Sequence, residues 1–289
     1  MPYSNIDRVA IVTGSSSGIG LETALALARH GFYTYATMRN LNKSAMIQEI
    51  ANKEELSLEV IQLNVDNDLS AKNAVHDIVS KKGRIDLLVN NAGYGLIGPI
   101  EDISIEDELK PQFETNLFGA VRIMQQVLPL MRQQKSGMII NVSSVGGLAG
   151  YPFSAAYCST KFALEGLSES LSYEVEQFGI TIILVEPGLV ASDFHNNIRM
   201  ATKKVAANSD SQYLQMMQKL FEEYKHVQEL YQISAKEVAK AILDAAILDI
   251  PDQRYIVGKY SEMMVEQKMT MSDTEYYNMM KTQLFGGKL

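Results

Sequence analysis

The segment SAAYCSTKFALEG, residues 154–166, places Tyr157 and Lys161 four positions apart. On a helix, side chains at this spacing lie on one face, so a lysine ammonium there favours the ionised form of the tyrosine. A tyrosine hydroxyl normally titrates at about pH 10 and becomes a better acid/base catalyst when its pKa moves toward the working pH. The pair is therefore a candidate proton donor with its tuning cation, although such pairs also occur as ordinary surface neighbours.

A glycine-rich turn follows the first apolar segment. The sequence VAIVTGSSSGIG, residues 9–20, carries Gly14, Gly18 and Gly20 between an apolar run and an amphipathic run. Glycine accepts positive φ and lets a pyrophosphate approach the backbone, while the free N–H groups of a helix start attract its charge. The turn predicts a dinucleotide site. Its other candidate residues are Ser15, Ser17 and Ile19.

The end of the second predicted strand indicates which dinucleotide fits. An acidic residue there would bind the ribose 2′-OH of NAD and repel the 2′-phosphate of NADP. The chain reads YATMRN, with Met38 and Arg39 and no acid nearby. Because an arginine fork matches a phosphate in shape and charge, we expect NADP(H), with NAD(H) as the alternative.

Short β-branched runs alternate with longer amphipathic segments, which predicts βαβ units and a parallel sheet. We expect a single α/β domain over residues 1–289, a Rossmann-type doubly wound sheet of about seven strands in three α/β/α layers. The predicted strands are 8–14, 32–38, 58–65, 85–91, 137–144, 181–187 and 254–258. The predicted helices are 18–30, 42–52, 70–82, 106–134, 153–177 and 234–249.

Two regions depart from this alternation. Residues 188–233 form an insertion with a helical second half, and residues 261–289 form a C-terminal tail that we expect to pack on the domain. Nine of the 15 methionines fall at or after Met200. Methionine fills irregular gaps and also builds adaptable apolar surfaces. The methionines of the insertion therefore either fill gaps where it packs on the domain or form an apolar lid over the substrate.

The composition bounds the class of protein. A net charge of −8 disfavours a nucleic-acid binder, and the chain has no apolar run long enough to span a membrane and no secretory start. The single cysteine, Cys158, fits a reducing compartment, so we expect a cytoplasmic protein. The four histidines lack metal-ligand spacing, and no metal site is predicted.

Five short motifs follow one another along the chain. They are TGSSSGIG at 13–20, NNAG at 90–93, NLFG at 116–119, Ser144 followed by VGG, and YCSTK at 157–161. In this order they resemble the short-chain dehydrogenase/reductase family over about residues 7–190, and the chain is similar to its 17β-hydroxysteroid and retinol dehydrogenase-like members. The resemblance implies an oxidoreductase that transfers a hydride between a nicotinamide and a carbonyl or alcohol.

The resemblance also implies a catalytic set. Tyr157 would be the general acid/base, and Lys161 would tune it and hold the nicotinamide ribose. Ser144 would donate to the substrate carbonyl oxygen, with the adjacent Ser143 as the competing residue. Asn116 would open its helix locally and order a water that links Lys161 to solvent.

Further cofactor contacts follow from the same resemblance. They are Asn64, Val65, Asn90, Asn91, Ala92, Gly93, Pro187, Gly188, Val190 and, at the carboxamide, Ser192. Asn64 stands where the family usually has an aspartate that accepts from the adenine amino group. Its amide oxygen can still accept, and Asp66 is the less favoured substitute.

The substrate is the least determined feature. Leu148, Tyr151 and Phe153 favour an apolar pocket, so we expect an apolar ketone or aldehyde that is steroid-, retinoid- or lipid-like. A 3-oxoacyl thioester or semialdehyde reductase is the alternative, and a non-catalytic dinucleotide-sensing regulator is the alternative of another class. The resemblance also implies a homodimer or homotetramer built on helices 106–134 and 153–177.

Overall fold

A computed structural model describes residues 8–191, 198–201 and 212–285. The described strands are β1 (Val9–Val12), β2 (Tyr33–Met38), β3 (Leu58–Gln62), β4 (Leu87–Asn90), β5 (Leu96–Ile97), β6 (Gly137–Val142), β7 (Ile180–Pro187), β8 (Val190–Ala191), β9 (Arg199–Met200), β10 (Ile233–Ser234) and β11 (Arg254–Val257). Seven of them form one parallel sheet in the order β11-β7-β6-β4-β1-β2-β3. All seven predicted strands are present.

The helices cover both faces of this sheet. They are α1 (Gly18–Arg29), α2 (Ala45–Lys53), α3 (Asp68–Lys82), α4 (Lys110–Phe113), α5 (Gly119–Gln134), α6 (Ala155–Val175), α7 (Gln212–Tyr231), α8 (Ala235–Ile247), α9 (Lys259–Thr270) and α10 (Asp273–Phe285). One core joins the sheet to α3, α5 and α6, and a second joins it to α1, α2 and α8. The predicted doubly wound α/β fold in three layers is confirmed. None of the described helices combines the length and apolar character needed to cross a bilayer.

The helix predicted over 106–134 is not a single regular α-helix. Residues Ile105–Leu109 and Glu114–Phe118 are π-helical turns on either side of the short α4, and α5 begins only at Gly119. Pro111 lacks the N–H that would continue the regular α-helical ladder. The second π-helical turn contains Asn116, and such turns are frequent at functional sites.

The sheet order creates a crevice where the winding reverses. Strands β2 and β4 lie on opposite sides of β1, and all their carboxyl ends meet at one edge. In open α/β sheets, ligands bind in the crevice outside these carboxyl ends. The loops after β1, β2, β3, β4, β6 and β7 carry most of the predicted site residues, so the topology brings these to the same edge. Asn116 lies in the second π-helical turn, and Tyr157 and Lys161 lie on α6.

The insertion and the tail pack on this frame. Strand β8 pairs with β10, and β9 pairs with β5, so short stretches of the insertion are tied to the domain. In the tail, Met264, Val265 and Tyr276 pack with Val145 and Ala149, which directly follow the β6 edge. The described methionines of the tail therefore lie partly against the segment that carries Ser144.

Candidate active site

The glycine turn after β1 is held in place by Asn91. The Asn91 Nδ2 donates to the carbonyl oxygens of Thr13, at 2.9 Å, and Gly14, at 3.2 Å. Gly14 and Gly18 have φ of 70° and 59°, which favour glycine. A Cβ on Gly14 would lie 2.9 Å from the Cα of Ala92, so the turn and the β4 loop approach too closely for a side chain.

A cleft of about 750 Å³ opens beside this turn. Of the residues predicted to bind a cofactor, those lining the cleft are Gly14, Ser17, Gly18, Ile19, Arg39, Asn64, Val65, Asn91, Ala92 and Gly93. Ser15 lies apart, because it is buried and its hydroxyl donates to the Val12 carbonyl oxygen at 2.9 Å. Ser16, which was not among the predicted residues, lines the cleft instead.

Arg39 is positioned for an anionic ligand. It directly follows β2, it is exposed, and it lines the cleft. Among the described residues, its guanidinium makes no ion pair, and only its backbone oxygen is engaged, by Gln62. A free guanidinium at a cleft edge can accept a phosphate without first breaking another contact.

The β3 loop offers two oxygen acceptors in the cleft. Asn64 lines the cleft, but its Oδ1 already accepts the backbone N–H of Asp66 at 3.3 Å. Asp66 also lines the cleft, and its Oδ1 is buried without a hydrogen-bond partner within the described ranges. A buried unpaired carboxylate oxygen is costly unless a ligand donates to it. Asp66 therefore offers an unengaged oxygen in the cleft, whereas the preferred acceptor predicted from the sequence, Asn64, has its oxygen already bonded.

Ser144 and Tyr157 meet at the carboxyl edge of β6. Their hydroxyls are hydrogen-bonded, and the Ser144 Oγ also accepts the Gly146 N–H at 3.0 Å. Ser144 is 7% exposed, so its hydroxyl is held in one place by its neighbours. Burial raises the pKa of Tyr157 above the usual value, and the Ser144 hydrogen bond opposes this rise. Tyr157 is therefore protonated at neutral pH, which is the form that can donate.

Lys161 lies one helical turn after Tyr157 on α6 and is only 6% exposed. Its Nζ donates to the Val142 carbonyl oxygen at 2.8 Å and lies 5.9 Å from the centroid of the Tyr157 ring. Burial lowers the pKa of Lys161 to about 8, and the charge of Glu165 opposes that fall. The sequence predicted that this ammonium lowers the Tyr157 pKa, but in the protein alone the Tyr157 pKa is raised, because burial outweighs the opposing effects.

Asn116 is buried in the second π-helical turn. Its Oδ1 accepts the Tyr94 N–H at 3.0 Å, and its Nδ2 donates to the Tyr94 oxygen at 2.9 Å. A separate cavity of about 10 Å³ is lined by Asn116, Lys161, Asn90 and Thr13, among others, and has room for about one water. Asn90 Oδ1 is buried with no hydrogen-bond partner among the described residues. A polar pocket of this kind suits an ordered water beside the lysine.

The β7 edge carries the remaining predicted contacts. The Pro187 oxygen accepts from the Ser144 hydroxyl at 3.5 Å, and the Gly188 N–H donates to Val257 at 3.2 Å. A Cβ on Gly188 would collide with the Ser261 hydroxyl, so a glycine lets α9 approach. Val190 is buried in β8 and pairs with Ile233. Ser192 lies outside the described residues.

Two further residues contact the site. Tyr151, predicted from the sequence only as part of an apolar pocket, is hydrogen-bonded to Ser144 and packs beside Val145 and Met264. Arg199, which carried no signal in the sequence, lines the cleft with its guanidinium 4.2 Å from the Tyr94 ring centroid. Arg199 reaches the site through a contact between distant segments, which no local spacing encodes.

Comparisons with known proteins identify the family to which this fold belongs. The family model for short chain dehydrogenases matches residues 8–203. The chain is 43% identical to retinol dehydrogenase 8 of Bos taurus over 66% of this chain, and this match spans 62% of that relative, less than two thirds of its length. It is 34% identical to 17-beta-hydroxysteroid dehydrogenase type 1 of Homo sapiens over 96% of this chain and 86% of that protein.

Two solved structures share the fold. A short-chain dehydrogenase from Streptomyces avermitilis superimposes with a TM-score of 0.80 at 28% identity and covers 97% of each chain. ElxO, solved with NADP bound, gives a TM-score of 0.69 at 27% identity and covers 87% of this chain and 97% of its own. Since the family model covers more than half of the 289 residues and the steroid dehydrogenase matches nearly all of them, the chain belongs to the short-chain dehydrogenase family of NAD(P)-dependent oxidoreductases.

Proposed function

We propose that this protein is an NADPH-dependent reductase of apolar ketones or aldehydes that also oxidises the corresponding alcohols. The observation that carries this proposal is the contact between the Ser144 and Tyr157 hydroxyls, with the Lys161 ammonium beside the tyrosine ring. A dinucleotide-sensing regulator that performs no turnover would have no use for this buried set.

The reaction needs a proton donor and a donor to the developing negative charge. Ser144 donates to the carbonyl oxygen of the substrate and holds it beside Tyr157. Tyr157 then gives its hydroxyl proton to the alkoxide as that charge forms. Lys161 stabilises the resulting phenolate, and the polar pocket between Lys161 and Asn116 returns a proton from solvent. The nicotinamide, when bound, supplies the hydride.

Three features of the cleft support NADP(H) as the cofactor. The glycine turn leaves space for a pyrophosphate. Arg39 has no ion pair among the described residues and directly follows β2, where this fold contacts the 2′ position of the adenosine ribose. Asp66 and Asn64 give oxygen acceptors for an adenine amino group. The NADP-bound relative ElxO is consistent with this assignment. We also propose Ser192 as the carboxamide contact.

The substrate class follows from the surroundings of Ser144. Leu148, Tyr151 and Met280 pack around the buried tail residues on that side of the site. Apolar and aromatic linings favour apolar ligands. The names of the relatives, a retinol dehydrogenase and a steroid dehydrogenase, point the same way. A 3-oxoacyl thioester or a semialdehyde is the alternative substrate, and the cytoplasm remains our expected location.

We further propose a homodimer. Phe162 and Tyr173 on α6 are 45% and 69% exposed, and Phe118 beside α5 is 49% exposed. Exposed aromatic side chains are enriched at protein interfaces. These are the two helices on which the family resemblance predicts subunit contacts, and a homotetramer is the alternative assembly.

A carbonyl panel tests the proposed function. Purified protein is mixed with NADPH and, separately, with steroid ketones, retinal, long-chain aldehydes, 3-oxoacyl thioesters and short semialdehydes, and NADPH oxidation is followed; NADH is run in parallel. We expect turnover of the apolar carbonyl compounds with a preference for NADPH. Turnover confined to semialdehydes would overturn the substrate class, and NADPH binding without any turnover would favour the regulator.

A further inference from the structure

Two buried glutamates, one on the catalytic helix α6 and one on strand β7, take no part in the steps above. Glu165 is on α6, one helical turn after Lys161, and is 5% exposed. Glu186 is at the end of β7, directly before Pro187, and is fully buried. Carboxylates are almost never fully buried unless they are paired, so the site needs an explanation.

A single arginine serves both carboxylates. The Arg254 Nη1, from β11, donates to Glu165 Oε2 at 2.6 Å and to Glu186 Oε1 at 2.5 Å. Its Nη2 lies 3.8 Å from an oxygen of Glu169, which is exposed to solvent. One cation facing two buried carboxylates leaves one negative charge uncompensated if both are ionised, and burying such a charge is unfavourable.

The remaining oxygens of the two carboxylates indicate a shared proton. Glu165 Oε1 and Glu186 Oε2 are buried and have no hydrogen-bond partner in the part of the chain that the structure describes. The other oxygens of the two carboxylates bond the same Arg254 nitrogen, which holds the two groups close together, and a hydrogen bond between them would require a proton on one of them. Burial, and then the neighbouring Glu165, raise the pKa of Glu186 toward neutrality, as expected for carboxyls that share a site.

The negative charge of this pair acts on Lys161. The charge of Glu165 raises the pKa of Lys161 against the effect of burial. The other groups that face the pair are Arg254 from β11, Glu169 further along α6, and the buried Ser143 hydroxyl near Gly147. The glutamate pair thus lies between two cations. Lys161 is on the side of the proposed cofactor, and Arg254 is on the side of the solvent.

We propose that Glu165 and Glu186 share one proton and together provide the counter-charge of Lys161, which makes both of them positioning residues for the catalytic lysine. The inference rests on the proposed function for the role of Lys161. While the two carboxyls share the proton, they carry one negative charge, which the positive charge of Arg254 balances. When the proton leaves, as the pH rises through neutrality, Glu165 carries its full negative charge one helical turn from Lys161 and keeps the ammonium protonated at higher pH.

The test compares two isosteric variants in carbonyl reduction. In Glu165→Gln, Lys161 loses its nearest negative charge, so the alkaline limb of the kcat/KM profile moves down by about one pH unit. In Glu186→Gln, Glu165 stays ionised over the whole range, so the alkaline limb does not move down. The matched control is Glu169→Gln, an exposed glutamate one turn further along α6, which leaves the limb unchanged.

A purely structural role gives a different result. If the glutamates only hold β11 against α6, both buried variants lower the Tm and leave the alkaline limb at the wild-type pH, which would overturn the proposal. An equal downward shift in both variants would contradict the assignment of the shared proton to Glu186.

A second readout does not depend on turnover. NMR titration of wild-type protein with labelled glutamate carboxyls and lysine side chains should show one carboxyl titrating near neutral pH and a coupled change at Lys161. All carboxyls titrating in their ordinary acidic range would overturn the pair even if the enzyme is active. Absence of any turnover, with the neutral titration present, would count against the proposed function and leave the pair standing.

Discussion

At the scale of single residues, the two adjacent serines after β6 have different surroundings. The Ser144 hydroxyl meets Tyr157, whereas the Ser143 Oγ is buried without a hydrogen-bond partner among the described residues and lies near Gly147. Alternate residues of an extended segment point to opposite sides, so one of the two must face away from the site. The spacing to Tyr157 favoured Ser144 from the sequence, and the geometry supports the same choice.

Ser144→Ala should therefore lower kcat by roughly 100- to 1,000-fold, the usual loss for one donor to a developing oxyanion. The dissociation constant of NADPH, measured by fluorescence titration, should stay within a few-fold of wild type. Ser143→Ala is the matched control and should retain most of the turnover. A larger loss in Ser143→Ala than in Ser144→Ala would reverse the assignment.

In the proposed cofactor site, Arg39 is the residue that contacts the 2′-phosphate of NADP(H). Replacing Arg39 with alanine removes a charge-assisted contact to the 2′-phosphate, which is worth about 1.5–3 kcal/mol, or roughly a 10- to 100-fold weaker NADPH. NADH binding should change little, because NADH lacks that phosphate. Calorimetric or fluorescence titration of both nucleotides checks this, and an equal loss for the two would exclude the phosphate contact.

The sequence predicted the residues whose partners are local and missed those whose partners are distant. Tyr157 and Lys161 are visible because four positions on one helix fix their relation. The Glu165–Glu186 pair is not visible, because α6, β7 and β11 meet only through the sheet order. Ser15 was predicted to contact the cofactor, but it is buried apart from the cleft. Three serines in a row do not show which of them faces the cleft.

At the scale of elements, strand and helix positions followed from periodicity, but local helix geometry did not. The segment 106–134 has the apolar pattern of one long helix, and an extra residue in a turn barely disturbs that pattern. The two π-helical turns are specified by tertiary contacts, such as the Asn116 amide bonding both backbone groups of Tyr94. The β1 turn, in contrast, is specified by its glycines, and a side chain at any of these positions would disturb it.

Two helical glycines give a matched test of that turn. A Cβ on Gly20, in α1, would meet the Gly14 carbonyl group, whose carbon would be 2.9 Å away, and would also meet the Asn91 amide. Gly20→Ala should destabilise the protein by about 1–3 kcal/mol, as overpacking does, and weaken NADPH binding.

The control is Gly166→Ala in α6, where a Cβ would meet nothing within 4 Å. It should stabilise the protein by up to about 1 kcal/mol through helix propensity. Urea unfolding of both variants measures the difference. If both variants had the same free energy of unfolding, the turn could rearrange to admit a side chain at Gly20, which would contradict the close approach of Gly20 to Gly14.

At the scale of the whole molecule, the doubly wound sheet was predictable because alternating strand and helix segments allow few other arrangements. The tail was harder to predict, because helices α9 and α10 obtain their stability from packing on the segment after β6 and show little periodicity of their own. The substrate side of the site depends on this packing and on the insertion, so the sequence defines the reaction better than the substrate.

The proposed dimer is a property of the same scale. Phe162→Glu places a charge on the exposed aromatic surface of α6 and should convert the wild-type assembly into a 32.1 kDa monomer, measured by light scattering after gel filtration. Met269→Glu, at a more exposed position on α9, is the control and should leave the assembly intact. A wild-type monomer, or an unchanged assembly in Phe162→Glu, would refute the interface on α6.

In the proposed mechanism, the Tyr157 hydroxyl delivers the proton in carbonyl reduction. Tyr157→Phe removes that hydroxyl alone and keeps the ring beside Lys161. With the best substrate of the carbonyl panel and saturating NADPH, the variant should turn over about 100- to 10,000-fold more slowly, while its NADPH dissociation constant stays within a few-fold of wild type. Turnover within a few-fold of wild type, with NADPH still bound, would contradict the account.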